Sequence, residues 1–325
     1  MPKPGPPPYA TGVPPSPPSS SPARPRRRQP SPAPGADTTV QPVFKEPSPL
    51  SITDRQLAAF AYDHENALGS AITPRYLADA GDPRHVTHAL RARGWSLDSD
   101  PLHPAIRMTS PDHTFRLELT PTPSSFTRWW RIDNNHGPGF WYVTFNGDTP
   151  AEIVASLTDA LIRPEPEEPA PSVIEVLTGR GWEHTTSATG SQRLTSPDAI
   201  VQVELYVSPS LGVMGWEIEA AHHHGEHGPE QRIWRAHLDA ATPTHLLAAV
   251  AEAISNPTPV LRARFKINDS AHLTQGPEFA IGSEVVSAHK QRLAEARRHR
   301  PKPHLTTAVA APALPRTAAP ARPAR

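Results

Sequence analysis

Two Thr-Ser-Pro-Asp segments, Thr109–Asp112 and Thr195–Asp198, place a hydroxyl two residues ahead of a carboxylate. A serine nucleophile needs a base held beside it, and neither segment carries one at a set spacing. Proline at the second place and aspartate at the third is also the composition of a hairpin turn, and a turn is the expected role. Glu118 and Glu204 occupy equivalent outward places on two strand-like runs. Paired carboxylates do acid–base work only a few ångströms apart, which here requires a particular pairing of two distant segments; a solvated face is the expected role. His222, His223 and His224 with Glu226 and His227 form the densest metal-capable cluster. Imidazoles suit zinc, nickel or copper, but Gly225 and Gly228 make this a loop without preformed geometry. No catalytic residue, metal or cofactor is assigned.

Aromatic side chains offer another chemistry. Six tryptophans could form a stacking platform for bases or sugars, yet they recur at matched positions on apolar faces or beside a glycine, as core tryptophans do. Trp129 differs. It neighbours Trp130, so strand alternation points one of the two outward, and Gly215 stands at its counterpart position. With Arg128 and Arg131 beside it, Trp129 is the candidate partner contact; a half-buried edge residue is the competing reading. Short basic runs, Arg24–Arg28 and Arg297–Lys302, can neutralise phosphates without sequence specificity, and proline runs near the N-terminus suit polyproline-binding partners or a plain spacer.

The elements that carry these residues are written twice. Residues 84–162 and 172–255 share Arg-Gly-Trp (Arg93–Trp95, Arg180–Trp182), then Thr-Ser-Pro-Asp. Two strand tryptophans follow (Trp130 and Trp141; Trp216 and Trp234), then a Thr-Pro pair (Thr149-Pro150, Thr242-Pro243). The offset is 87 at the first landmark, 86 at the next two and 93 at the last two, so one seven-residue insertion accounts for most of the drift. Such internal repetition decides the architecture. Phe115, Leu117 and Leu119 alternate with Arg116 and Glu118, as Val201, Val203 and Leu205 do with Gln202 and Glu204: half-buried antiparallel strands. Trp141, Val143 and Phe145 match Trp234, Ala236 and Leu238. Thr149, Pro150 and Glu152 read as a capping box ahead of the stripe Ile153, Val154, Leu157 and Leu161. Each copy is therefore expected to be a helix, a meander of about four strands and a closing helix, with helices on one face: an α+β fold.

Composition bounds the rest. Seventeen of the 43 prolines lie in residues 1–50, which cannot bury enough apolar surface to offset chain entropy and are expected to be disordered. Residues 51–83 form a lead-in, with weak helical signals at Asp54–Tyr62 and Thr73–Ala80; 163–171 is a Pro/Glu linker; and 256–325 reads as a basic, largely disordered tail with a candidate helix over 282–300. The net charge of zero is partitioned. Residues 51–259 hold 14 basic and 26 acidic residues (−12), 1–50 hold six and two (+4), and 260–325 hold twelve and four (+8). An acidic body disfavours nucleic acid, leaving weak polyanion binding to the tails. Without cysteine there is no disulfide, thiolate nucleophile or cysteine-based metal site. A cytoplasmic location is expected, because no secretory signal follows Met1 and no run reaches the roughly 18 apolar residues of a membrane span.

The Thr-Ser-Pro-Asp turns, the Arg-Gly-Trp ahead of each, the tryptophan strands and the Thr149–Glu152 helix start resemble the SPDY family, domains of unknown function from streptomycetes and their relatives. Thr73–Ala78 followed by Gly81–Pro83 is similar to the lead-in such proteins carry. The resemblance covers about 73–255 and both copies. It departs at the fourth place of the motif, where His113 and Ala199 stand for the usual tyrosine. The resemblance implies a fold and a tandem layout, with no chemistry attached. The expected function is a non-catalytic protein-interaction or scaffolding module with an unknown protein partner; the alternatives are a nucleic-acid-associated protein acting through its tails and an enzyme with a site at the seam between the copies.

Overall fold

Thr53 opens the first helix, α1 (Asp54–His64), with a capping box. Its hydroxyl accepts the Gln56 N–H (3.3 Å), and the Gln56 side chain accepts the Thr53 N–H (3.0 Å). β1 (Leu68–Thr73) and a 3-10 turn (Arg75–Leu77) lead to α2 (Arg84–Arg93). Gly94 ends α2 in the left-handed conformation (φ 106°), donating its N–H to the last-turn carbonyls. A meander follows, β2 (Ser96–Asp98), β3 (Ile106–Thr109), β4 (Phe115–Leu119), β5 (Arg128–Asn134) and β6 (Tyr142–Asn146), closed by α3 (Ala151–Ile162). The second copy repeats the series as α4 (Val173–Thr178), β7 (Glu183–Thr186), β8 (Gln192–Thr195), β9 (Val201–Ser208), β10 (Gly212–His222), β11 (Gln231–Asp239) and α5 (Thr244–Ile254). β12 (Val260–Ala263), β13 (Thr274–Gln275), β14 (Phe279–Ala280) and α6 (Gly282–Arg298) complete the chain order. This computed structural model describes residues 52–98, 104–134, 139–210, 212–222, 231–264 and 272–299.

The fold is α+β with antiparallel sheets. Each meander has five strands rather than about four; the extra ones, β2 and β7, are short sheet-edge strands whose exposed side chains give no apolar alternation. The two meanders join into one ten-stranded sheet, ordered β2-β3-β4-β5-β6-β11-β10-β9-β8-β7. At the junction Val143 pairs with Leu238, Thr144 with His237 and Phe145 with Ala236. Val143 matches Ala236 and Phe145 matches Leu238 in the repeat, so this register reads the same from either copy. A local two-fold axis passes through the Thr144–His237 pair.

Inward residues of both meanders and the stripes of α3 (Ile153, Val154, Leu157) and α5 (Leu246, Leu247, Val250, Ile254) belong to one hydrophobic core. The seam between copies is filled: Val143, Phe145, Ala236 and Leu238 are all at most 1% exposed.

Two local expectations are corrected. Thr149 and Glu152 do not form a capping box. The Thr149 hydroxyl donates to the Asn146 side chain (2.9 Å), and Glu152 instead takes both ends of the Arg262 guanidinium (2.8 and 2.6 Å). A buried cation 110 residues away outcompetes the single Thr149 N–H, which donates to the Asn146 carbonyl (3.4 Å) instead, since charge-assisted bidentate pairs are the stronger bonds. Second, the stretch read as the start of a basic tail is built into the fold. β1 is flanked by β12 on one side and by β13 and β14 on the other, forming a small second sheet. The helix expected over 282–300 is α6, and it docks through His289, Leu293 and Ala296. Strands of two to four residues are too short to show a period. Arg262 is only 5% exposed; it also donates to the carbonyls of Ala78 and Asp79, tying the lead-in to the end of the second copy.

Candidate functional site

Alternation sends Leu117, Ile132, Val143, Val203, Ile218 and Ala236 under the helices, and so turns their neighbours to the opposite face. Those neighbours fall into one row that crosses every strand: Asp98, Arg107, Glu118, Arg131, Thr144, His237, Glu217, Glu204, Arg193 and Thr185. Each is registered opposite the next. The local axis exchanges the matched pairs Arg107/Arg193, Glu118/Glu204 and Arg131/Glu217.

The row is laced with ion pairs. Arg107 meets Glu118 (3.5 Å) and Arg193 meets Glu204 (3.1 Å). Arg131 bonds Asp133 (2.9 Å) and lies over the Tyr142 ring (4.8 Å), which also neighbours the His237 imidazole (5.2 Å). His237 Nδ1 reaches Glu217 Oε1 (2.8 Å), and Arg235 donates to Glu217 Oε2 (3.0 Å). Glu217 and Glu204 face each other directly, an unfavourable like-charge pairing. Burial pushes the Glu217 carboxyl up, but His237 and Arg235 outweigh it and hold it below its ordinary range. Beside them Gln202, Glu204, Tyr206, Glu217, Glu219 and Arg235 line an open groove of about 370 Å³, with Tyr206 half-exposed.

Arg131 therefore belongs to the centre of this face, and Arg128 lies exposed at the start of β5. Trp129 is half-buried and packs against the hydrophobic core rather than standing open. Its indole N–H donates to Thr122 Oγ1 (3.2 Å) and the Ser124 carbonyl (3.1 Å). The ring lies so close over Gly147 that a Cβ there would stand 2.6 Å from two indole carbons. The strand pairing is irregular at this point in both copies, between Arg128 and Trp130 and between Val213 and Gly215.

Both Thr-Ser-Pro-Asp segments are hairpin turns of one design. Ser110 donates to Asp112 (2.5 Å) and accepts the Phe115 N–H (2.9 Å); Ser196 donates to Asp198 (2.6 Å) and accepts the Val201 N–H (2.9 Å). His113 and Ala199 take the left-handed conformation (φ 61° and 59°). A serine whose proton is committed to the neighbouring carboxylate is not poised as a nucleophile. Tyr76, from the lead-in, donates its hydroxyl to Asp198 (2.5 Å), while its carbonyl accepts the buried Trp234 indole N–H (2.7 Å). Burial, then this bond to Asp198, raises the Tyr76 phenol.

Glu118 and Glu204 share the row but stand five strand spacings apart, roughly 24 Å, too far for joint acid–base work. Of the histidine cluster, 223–230 lie outside the described residues; so do the basic run at 24–28 and residues 300–302 of that at 297–302. Among the described residues no group of three or more His, Asp or Glu is arranged to hold a metal, and no helix is long and apolar enough to cross a membrane. Sequence reasoning missed Tyr142, His237, Arg107 and Arg193. Arg131 and the equivalent outward places of Glu118 and Glu204 were its trace of the row.

A duplicated antiparallel meander, closed by helices on one face and carrying a charged row on the other, defines the class of protein. The SPDY family model, a domain of unknown function (DUF317), matches residues 109–167 and 195–260. The chain thus carries two SPDY domains in tandem, each match running from the Thr-Ser-Pro-Asp turn past the closing helix. No curated protein and no solved structure matches the chain.

Proposed function

We propose that the protein is a non-catalytic interaction module of the cytoplasm, whose open sheet face, spanning both copies, docks a charged protein partner. The observation that carries this reading is the ten-residue row, a polar surface made continuous by the β6–β11 junction. Arg107, Arg131, Arg193 and Arg235 supply fork-shaped donors suited to carboxylates, while the groove at Glu204, Glu217 and Glu219 suits a basic side chain. The packed seam leaves little room for a catalytic cleft between the copies, which weighs against the enzyme alternative. Arg128 and Arg131 are the proposed contact residues, with Trp129 as their support. Charge reversal tests it: Arg131→Glu with Glu217→Arg should abolish capture of the cognate protein from the native cell extract while leaving thermal stability within a few degrees. Undiminished capture by that double variant would sink the proposal.

A second reading rests on the charge partition. The basic termini are proposed to bind a polyanion weakly, as an auxiliary to the sheet face.

A further inference from the structure

His88 on α2 and His289 on α6 meet inside the three-helix contact of α1, α2 and α6. His88 Nδ1 and His289 Nε2 are 3.1 Å apart, in residues only 8% and 1% exposed. The Phe60 ring of α1 stacks on His289 (centroids 3.9 Å, planes 18° apart) and on His64 (4.4 Å). His289 Nδ1 is buried without a hydrogen-bond partner among the described residues. This contact uses nothing from the sheet face.

The imidazole–imidazole bond needs one donor and one acceptor, so at least one ring must be neutral. One added proton keeps the bond but puts a cation in a site with almost no water; a second leaves two donors facing each other. The surroundings do not welcome either charge. From α2, Arg84, His85 and Arg91 face the pair, and from α6, Arg292; Arg262 with Glu152, and Asp159, from β12 and α3, act on the neighbouring His85. Among the carboxylates, Asp82 is bonded to Arg84 (2.7–3.0 Å), with His64 3.7 Å away, Glu152 is bonded to Arg262, and Asp159 to Arg292 (2.5 and 2.8 Å). The Arg292–Asp159 pair and the buried Leu293 and Ala296 add to the hold on α6, so protonation of the imidazoles has to overcome these contacts before the helix releases.

We propose that the His88–His289 pair is a pH-operated latch, fastening α6 to α1 and α2 at neutral pH and releasing it on mild acidification. The titrations agree with the geometry. Burial, then Arg84, lowers His88 to about 4; burial, then His88 and His85, lowers His289 to about 3. Once α6 lets go, both imidazoles return toward the ordinary 6.5. The docked state is therefore favoured fully above about 6.5 and loses ground as pH falls toward 4. By proton linkage the open population grows about tenfold per pH unit for one proton and about a hundredfold for two.

Hydrogen exchange on the full chain between pH 7 and 4.5 tests this, read as protection factors so that the intrinsic pH dependence divides out. The amides of α6 should lose about ten- to a hundredfold protection per unit below pH 6, ahead of those in β10 and β11. His289→Phe, which keeps the stack on Phe60 and cannot titrate, should flatten that response. Constant α6 protection, or loss in step with β10 and β11, would overturn the latch, as would an unaltered response in His289→Phe. Should that variant not fold, the order of loss in the unaltered chain decides alone.

Discussion

Thr144 and His237 face each other across β6 and β11, on the axis that exchanges the two copies. Thr144 is only 3% exposed although its register places it in the outward row. The contact makes one sheet and one core out of two meanders, and it carries the charged row from one SPDY domain into the other without a break.

The matched tryptophans give the first prediction. Trp130 and Trp216 are 3% and 9% exposed in the shared core, and truncating either to alanine should cost roughly 3–5 kcal/mol. Trp129→Ala should cost less, about 1–2 kcal/mol, from a half-buried ring and two lost bonds. Urea denaturation of the three variants measures this; equal losses would refute the assigned facing.

The Glu152–Arg262 pair gives the second. Removing either partner leaves a charge buried without its mate, so Arg262→Ala should destabilise by about 3–5 kcal/mol. Burial alone would raise the Glu152 carboxyl, but Arg262 holds it down to about 2. The pair's contribution is then present above the ordinary carboxylate value of 4.5 and is lost as pH falls from there through 2, amounting to about 3 kcal/mol. Acid denaturation of Glu152→Gln should lack that component; an unchanged acid profile would contradict the assignment.

Much of this was legible in the residues. Period-two alternation announced β4, β5, β9 and β10 and the faces of Glu118 and Glu204, and the apolar stripes announced α3 and α5. Alternation fixes a face but not a neighbour. The β6–β11 pairing joins residues 93 apart, so the row stayed invisible as a row. Thr149–Glu152 has a capping-box spacing, yet the decisive partner of Glu152 lies 110 residues on. Alternation offered Trp129 as an exposed residue, but it is half-buried, and nothing local says that Thr122 and Ser124 provide acceptors for its indole. The small sheet failed to register because two- to four-residue strands carry no period.

The corrected boundary sharpens the third prediction. With 260–299 belonging to the fold, residues 1–51 and 300–325 hold eleven Lys/Arg against two Asp/Glu, a charge of +9, and 52–299 carry −9. The full chain should bind heparin weakly at low salt, fading steeply as salt rises through counterion release. Residues 52–299 alone should not bind. Salt-resistant binding by 52–299 would move polyanion recognition onto the sheet face.

The central claim is that the open face of the fused sheet is where a protein partner docks. Site-specific photo-crosslinking in the native cell tests it most directly, with the reactive group placed in turn at Arg116 and Arg235 on that face and at exposed Glu252 on α5. The account predicts one shared protein adduct from Arg116 and Arg235, lost on Arg131→Glu with Glu217→Arg, and none from Glu252. Adducts from Glu252 with none from the sheet face would contradict it.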